Sequence, residues 1–157
     1  MEETSRLHTC SNGDAIVLEG TLEAVTSLDR DISPAVYSRF LSRCPAKAEL
    51  FRMIDAEQPP HGCGQMLFEI ISLLQDNATN KQYVAGYMRQ IADEHAAFGV
   101  TDTSLYAEFL ASLVDVLAAV LGSDWTDAHA AAWTRQSEAL LRHLPSGPIG
   151  RAATTSG

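Results

Sequence analysis

The sequence predicts an all-α fold. Apolar residues recur at three- and four-residue spacing along most of the chain, and no segment shows the period-two alternation of a half-buried strand. Breakers such as Cys44-Pro45, Gly122-Ser123-Asp124 and Pro145 interrupt the periodic segments, leaving seven or so helices of unequal length. A four-helix bundle would have longer and more equal helices.

Residues 1–14 are polar and are expected to be a flexible segment, with the first helix over 16–28. Ser33-Pro34 supplies a cap residue and a proline pre-set for the first turn, so the second helix should run to Arg43. Cys44-Pro45 ends it, and a short helix over 46–53 follows. Residues 55–64 hold two prolines and two glycines and read as an irregular corner. Leu67, Ile70, Ile71 and Leu74 then mark an amphipathic helix. The next helix spans 83–98, and a long one over 104–121 repeats Leu110, Leu113, Val114, Leu117, Val120 and Leu121. Thr126 should cap the last helix, which presents Trp133, Leu140, Leu141 and Leu144 before Pro145. The expected domain is therefore 15–144, with a flexible tail over 145–157.

A chain of 157 residues can bury a sizeable core in one domain. With 20 acidic against 11 basic side chains the formal net charge is −9, which argues against nucleic acid or anionic lipid as a partner and favours a soluble monomer or homodimer. The basic residues are scattered, although Arg39, Arg43, Lys47 and Arg52 are close enough in sequence to line a local anionic pocket. No apolar run of about 18 residues is seen, so no membrane span is expected, and the acidic N-terminus does not read as a secretory signal. Cys10, Cys44 and Cys63 have neither disulfide nor zinc spacing, which makes the reducing cytoplasm the expected compartment.

His95 is the residue that points to chemistry. It continues the stripe Val84, Met88 and Ile91, each step being three or four residues, so its imidazole projects on the face that the stripe covers. A neutral imidazole so placed is one common way to hold a haem iron. The other histidines are dispersed, with His129 and His143 expected on or near the surface of the last helix.

Several separated segments together resemble the globin family, and specifically its bacterial single-domain members and the globin domain of flavohaemoglobins. They are Val36-Tyr37-Ser38-Arg39-Phe40-Leu41, Cys44-Pro45, Glu49-Leu50-Phe51, Ile91-Ala92-Asp93-Glu94-His95, Phe98-Gly99-Val100, Leu121-Gly122-Ser123-Asp124-Trp125-Thr126 and Ala132-Trp133. The resemblance implies a globin fold with helices packed around a pocket for haem b (iron protoporphyrin). His95 would be the proximal, metal-ligating histidine, and Met88, Ile91, Phe98 and Val100 the apolar wall beside it. Phe51 would wedge against the porphyrin, Tyr37 would be the distal tyrosine, and Leu67 the aliphatic residue over the iron. Without a haem, Phe51, Leu67 and Val100 are ordinary core residues, and Tyr37 a buried ring with a bonded hydroxyl.

The distal corner departs from the pattern. Cys63 stands where a glutamine or histidine is usual, and a shift of register would offer His61 or Gln65. The tyrosine that flavohaemoglobins carry after the proximal histidine is displaced by one residue, with Leu105 in its place and Tyr106 following, and their late glutamate has no counterpart. A carboxylate there raises ligand basicity. No flavin or nicotinamide domain is expected, so turnover would need a separate reductase. The implied function is reversible binding of a diatomic gas, chiefly oxygen, with NO or CO as alternatives, for storage, sensing or scavenging; a sensor would need a signalling partner. The alternatives are nitric oxide dioxygenase or other haem redox activity, and a haem-free globin-like regulatory domain. A binding protein is favoured over an enzyme.

Overall fold

The computed structural model describes residues 2–45, 61–97 and 99–145, with side chains from 13–45, 66–97 and 99–145. Six α-helices run through them: α1 (Glu2–Ser27), α2 (Ser33–Arg43), α3 (His61–Ala78), α4 (Tyr83–Ala97), α5 (Ser104–Leu121) and α6 (Asp127–Leu141), with a 3₁₀ turn at Gly122–Asp124. Among the described residues there is no strand, and the fold is all-α. The expected helix over 46–53 and the tail beyond Pro145 lie outside the described residues.

Packing explains why these segments settle as they do. α5 packs on α2, α6 and α1, while α6 also packs on α1 and α3. Leu113 and Leu117 of α5, Trp133 and Leu140 of α6, Leu18 of α1 and Leu74 of α3 are wholly buried in the resulting core. Trp133 meets its polar requirement inside it: Nε1 donates to Thr21 Oγ1 at 3.1 Å, and Thr21 Oγ1 donates to the Val17 carbonyl at 2.7 Å.

Four sequence expectations change. The first helix starts at Glu2 rather than near residue 16, and Asp14, assigned to a flexible segment, is buried against α6. The cap of α2 is also shifted. Ile32 occupies the cap position and offers no side-chain bond, while Asp31 Oδ1 accepts from the Ser33 amide at 3.0 Å. α3 begins at His61, inside the stretch 55–64 expected as an irregular corner. Finally, α5 is long and apolar enough to cross a membrane by length and composition. Its neighbours show why: a helix that packs on three others must be apolar around much of its circumference.

Charges on α5 tie it to α2. Arg39 pairs with Asp115 at 3.2 Å, and Arg43 pairs with Glu108 at 3.2 Å and with Asp115. Two of the four basic residues considered for an anionic pocket are thus engaged by carboxylates; Lys47 and Arg52 lie outside the described residues.

Two local signals act as the sequence indicated. Thr126 caps α6, its side chain accepting from the His129 amide at 3.4 Å while His129 Nδ1 accepts from the Thr126 amide at 3.1 Å. Gly99 ends α4 with a φ of +90°, a conformation costly for other residues, and the Val100 amide returns to the His95 carbonyl at 3.0 Å.

Candidate functional site

Helices α3, α4 and α5 surround a cavity of about 780 Å³, counting the part open to solvent. α3 contributes Met66, Glu69 and Ile70, and α4 contributes Met88, Ile91 and His95. Val100, turned inward by the Gly99 corner, joins Leu105, Tyr106, Phe109 and Leu110 of α5, with Phe40 and Leu141 completing the wall. Among the described lining residues, only Glu69, His95 and Tyr106 bring side-chain nitrogen or oxygen to it. An apolar cavity with a few convergent polar groups is what a small-molecule site requires.

His95 is half-buried, and its Nδ1 lies 2.8 Å from the Ile91 carbonyl one turn earlier. A carbonyl can only accept, so Nδ1 carries a proton, and in the neutral ring Nε2 keeps its lone pair. That tautomer suits an imidazole ligand, and the carbonyl fixes the ring's orientation as a metal-bound histidine requires. The stripe below it is buried as its spacing demands: Val84 and Met88 are 1% exposed and Ile91 8%.

Tyr106, displaced by one residue in the sequence pattern, lies beside His95. Its ring centroid lies 5.6 Å from that of His95, and both Leu105 and Tyr106 line the cavity. The Tyr106 hydroxyl is buried without a hydrogen-bond partner. Burial, aided by the charge of Asp93, pushes its phenol up to about 12, so it stays a neutral donor. A buried donor without an acceptor costs about 1–3 kcal/mol, which makes a hydrogen-bonding ligand in the cavity favourable.

The residues of α2 and α3 singled out in the sequence divide between the core and the cavity wall. Leu67 is 2% exposed and belongs to the core, whereas Met66 and Ile70 stand on the cavity wall. α3 carries apolar residues over a broad arc, with Leu67 and Leu74 seven residues apart on the core side and Met66 and Ile70 four apart on the cavity side. Tyr37 stands one ring behind the wall. It is 8% exposed and packs edge-on against Phe109 at 5.4 Å, and Phe40 meets the same ring at 5.5 Å. Phe51 and Phe98 lie outside the described residues, as do the side chains of His61, Cys63 and Gln65.

Glu69 and Tyr87 form a contact that the sequence reading missed. The Tyr87 hydroxyl of α4 donates to Glu69 Oε1 of α3, and this bond with the Glu69 charge pushes the phenol up to about 12. Nothing local in the sequence announces a pair 18 residues apart on different helices. His143, expected on or near the surface of the last helix, lies just past the end of α6 and is half-buried, with Nε2 3.0 Å from Asn77 Oδ1. Among the described residues, no three His, Cys, Asp or Glu side chains gather into a metal-holding group.

Fold and site define a class: an all-α protein with an apolar cavity among α3, α4 and α5, entered by one oriented imidazole. The globin family profile matches residues 34–144, and the chain belongs to the globin family. A comparison with characterised proteins finds no match.

Proposed function

We propose that this globin binds haem b and uses it to bind a diatomic gas reversibly, chiefly oxygen, with NO and CO as further ligands. The observation that carries the proposal is the His95 imidazole, held by the Ile91 carbonyl at 2.8 Å with Nε2 available in an apolar cavity. The residues fit the group: one strong nitrogen donor, apolar walls from α3, α4 and α5, and an unpartnered tyrosine hydroxyl that suits a cofactor bearing acceptor groups. When bound, haem supplies a ferrous iron able to take a diatomic gas. His95 would hold it, Ile91 orients the imidazole, and Met66, Ile70, Met88 and Phe109 keep water out. Tyr37, which the resemblance places toward bound oxygen, stands behind the Phe109 ring, so Tyr37→Phe should change oxygen and CO dissociation alike, through packing; a selective rise in oxygen dissociation would return the polar role to it. Resemblance to bacterial single-domain globins and the flavohaemoglobin domain, and a cytoplasmic setting, belong to the same proposal.

The visible spectrum of the purified protein tests it. A Soret band at one haem per chain is expected, and His95→Ala should lose stoichiometric haem while keeping helical content. Unchanged haem affinity in that variant would overturn the reading. One observation favours a second function, haem redox chemistry such as nitric oxide dioxygenation with a separate reductase: Tyr106 stands against the His95 ring. Oxygen-dependent NO consumption by the reduced protein, lowered in Tyr106→Phe, would favour it over simple binding.

A further inference from the structure

Glu69 is the one carboxylate on the described cavity wall. It also lines a shallow outer hollow with Phe68, Ser72, Leu73, Tyr83 and Tyr87, so it stands at the boundary between cavity and solvent. A surface glutamate would ordinarily turn its charge into water. Here the Tyr87 hydroxyl, on the facing helix, holds the carboxylate. The Tyr87 ring is itself braced by Tyr83, with centroids 6.2 Å apart.

No lysine or arginine among the described wall residues answers that charge. The nearby charges have the same sign. Glu94 acts on Tyr87 together with Glu69, Asp93 acts on Tyr106, and the whole chain carries a formal −9. Apolar walls strengthen such a field, because they offer little dielectric screening.

We propose that Glu69, anchored by Tyr87, is a charge filter that disfavours anions in the cavity and leaves neutral ligands unaffected. It deepens the proposed function and rests on it for the identity of the ligands: neutral diatomic gases are admitted, whereas small anions such as azide and fluoride are penalised. The filter itself belongs to the protein and can be read without a cofactor.

The test uses the full chain free of haem and two fluorescent probes that compete for the cavity, anionic anilinonaphthalene sulfonate and neutral N-phenylnaphthylamine. Glu69→Gln should tighten the anionic probe about three- to ten-fold, the scale of one nearby charge partly screened by solvent, with the neutral probe changed less than about two-fold. Tyr87→Phe should act in the same direction by releasing the carboxylate. In the wild type, about 1 M salt, with a screening length near 3 Å, should narrow the gap between the probes. An unchanged probe ratio in Glu69→Gln would overturn the filter, as would a wild-type ratio indifferent to salt, an arm that needs no variant to fold. An effect of Glu69→Gln without one of Tyr87→Phe would overturn the anchor. Failure to bind haem would defeat the proposed function while leaving the probe result standing.

Discussion

The middle and the end of α3 handle polar groups in opposite ways. Near its end, Asn77 belongs to a chain of hydrogen bonds in which each member has a partner. Gln136 Nε2 donates to Asp14 Oδ2 at 2.8 Å, Asn77 Nδ2 donates to Gln136 Oε1 at 2.9 Å, and His143 Nε2 lies 3.0 Å from Asn77 Oδ1. Because the Asn77 oxygen accepts, His143 is the donor, and every bond points toward the Asp14 carboxylate. Arg135 closes that end, with Nη2 2.6 Å from Asp14 Oδ1. In the middle of the helix, the cavity that Met66, Glu69 and Ile70 help to line keeps the Tyr106 hydroxyl buried without a partner. Polar groups satisfied within the chain hold α1, α3 and α6 together. A donor left over in an apolar cavity suits a ligand.

Breaking the satisfied side should have the largest effect. Asp14→Ala leaves Gln136 without its acceptor and is expected to lower stability by about 2–3 kcal/mol in urea unfolding, below the full cost of a broken buried pair because Arg135 is largely exposed. The pH dependence sharpens this. Burial alone would raise the Asp14 carboxyl, but hydrogen bonds from Arg135 and Gln136 and the Arg135 charge outweigh it and hold the group below 3.8. Below 3.8 the unfolded chain therefore binds more protons at this site than the folded one. The contribution is complete above the unfolded value and is lost as pH falls through the folded value. The stability gap between wild type and Asp14→Asn should shrink as the pH drops below about 3.8; a gap constant from neutral pH downward would show that Asp14 is not the group responsible.

The cavity side should respond with the opposite sign. Tyr106→Phe removes a buried hydroxyl that lacks a partner, and the cofactor-free protein should gain about 1 kcal/mol. Ser137 provides the control. Its hydroxyl is also buried without a partner but is not part of the cavity wall, and Ser137→Ala should stabilise by a similar amount. Only Tyr106→Phe should alter haem retention, measured as transfer to a haem-scavenging apoprotein. Equal retention in the two variants would mean that the Tyr106 hydroxyl has no role toward the ligand. The smallest effect is expected at the exposed contacts between α2 and α5. Arg39→Ala should change stability by less than about 1 kcal/mol, since its pair with Asp115 is open to solvent and Arg43 also engages that carboxylate.

Legibility in the sequence followed the range of the interaction. The bounds of α5, the Thr126 cap and the Gly99 corner rest on residues within a turn of one another, and all stand in the sequence. So does the stripe that ends at His95, because a three-and-four spacing states which side chains share a face. The helix over 2–15 was missed because its polar composition resembles a loose terminus, and only the burial of Asp14 against Arg135 and Gln136 shows it joined to the core.

By itself, then, the sequence determined an all-α chain, most of its helix limits, and a histidine at the end of an apolar stripe. Tertiary structure decided which half of the α3 arc meets the cavity, placing Met66 and Ile70 there and Leu67 in the core. It also decided that Tyr106 lies against His95, that Tyr87 holds Glu69, and that His143 turns inward to Asn77. The physical reason is that helical periodicity lists which residues share a face, whereas the angle and rotation at which two helices pack determine what that face meets.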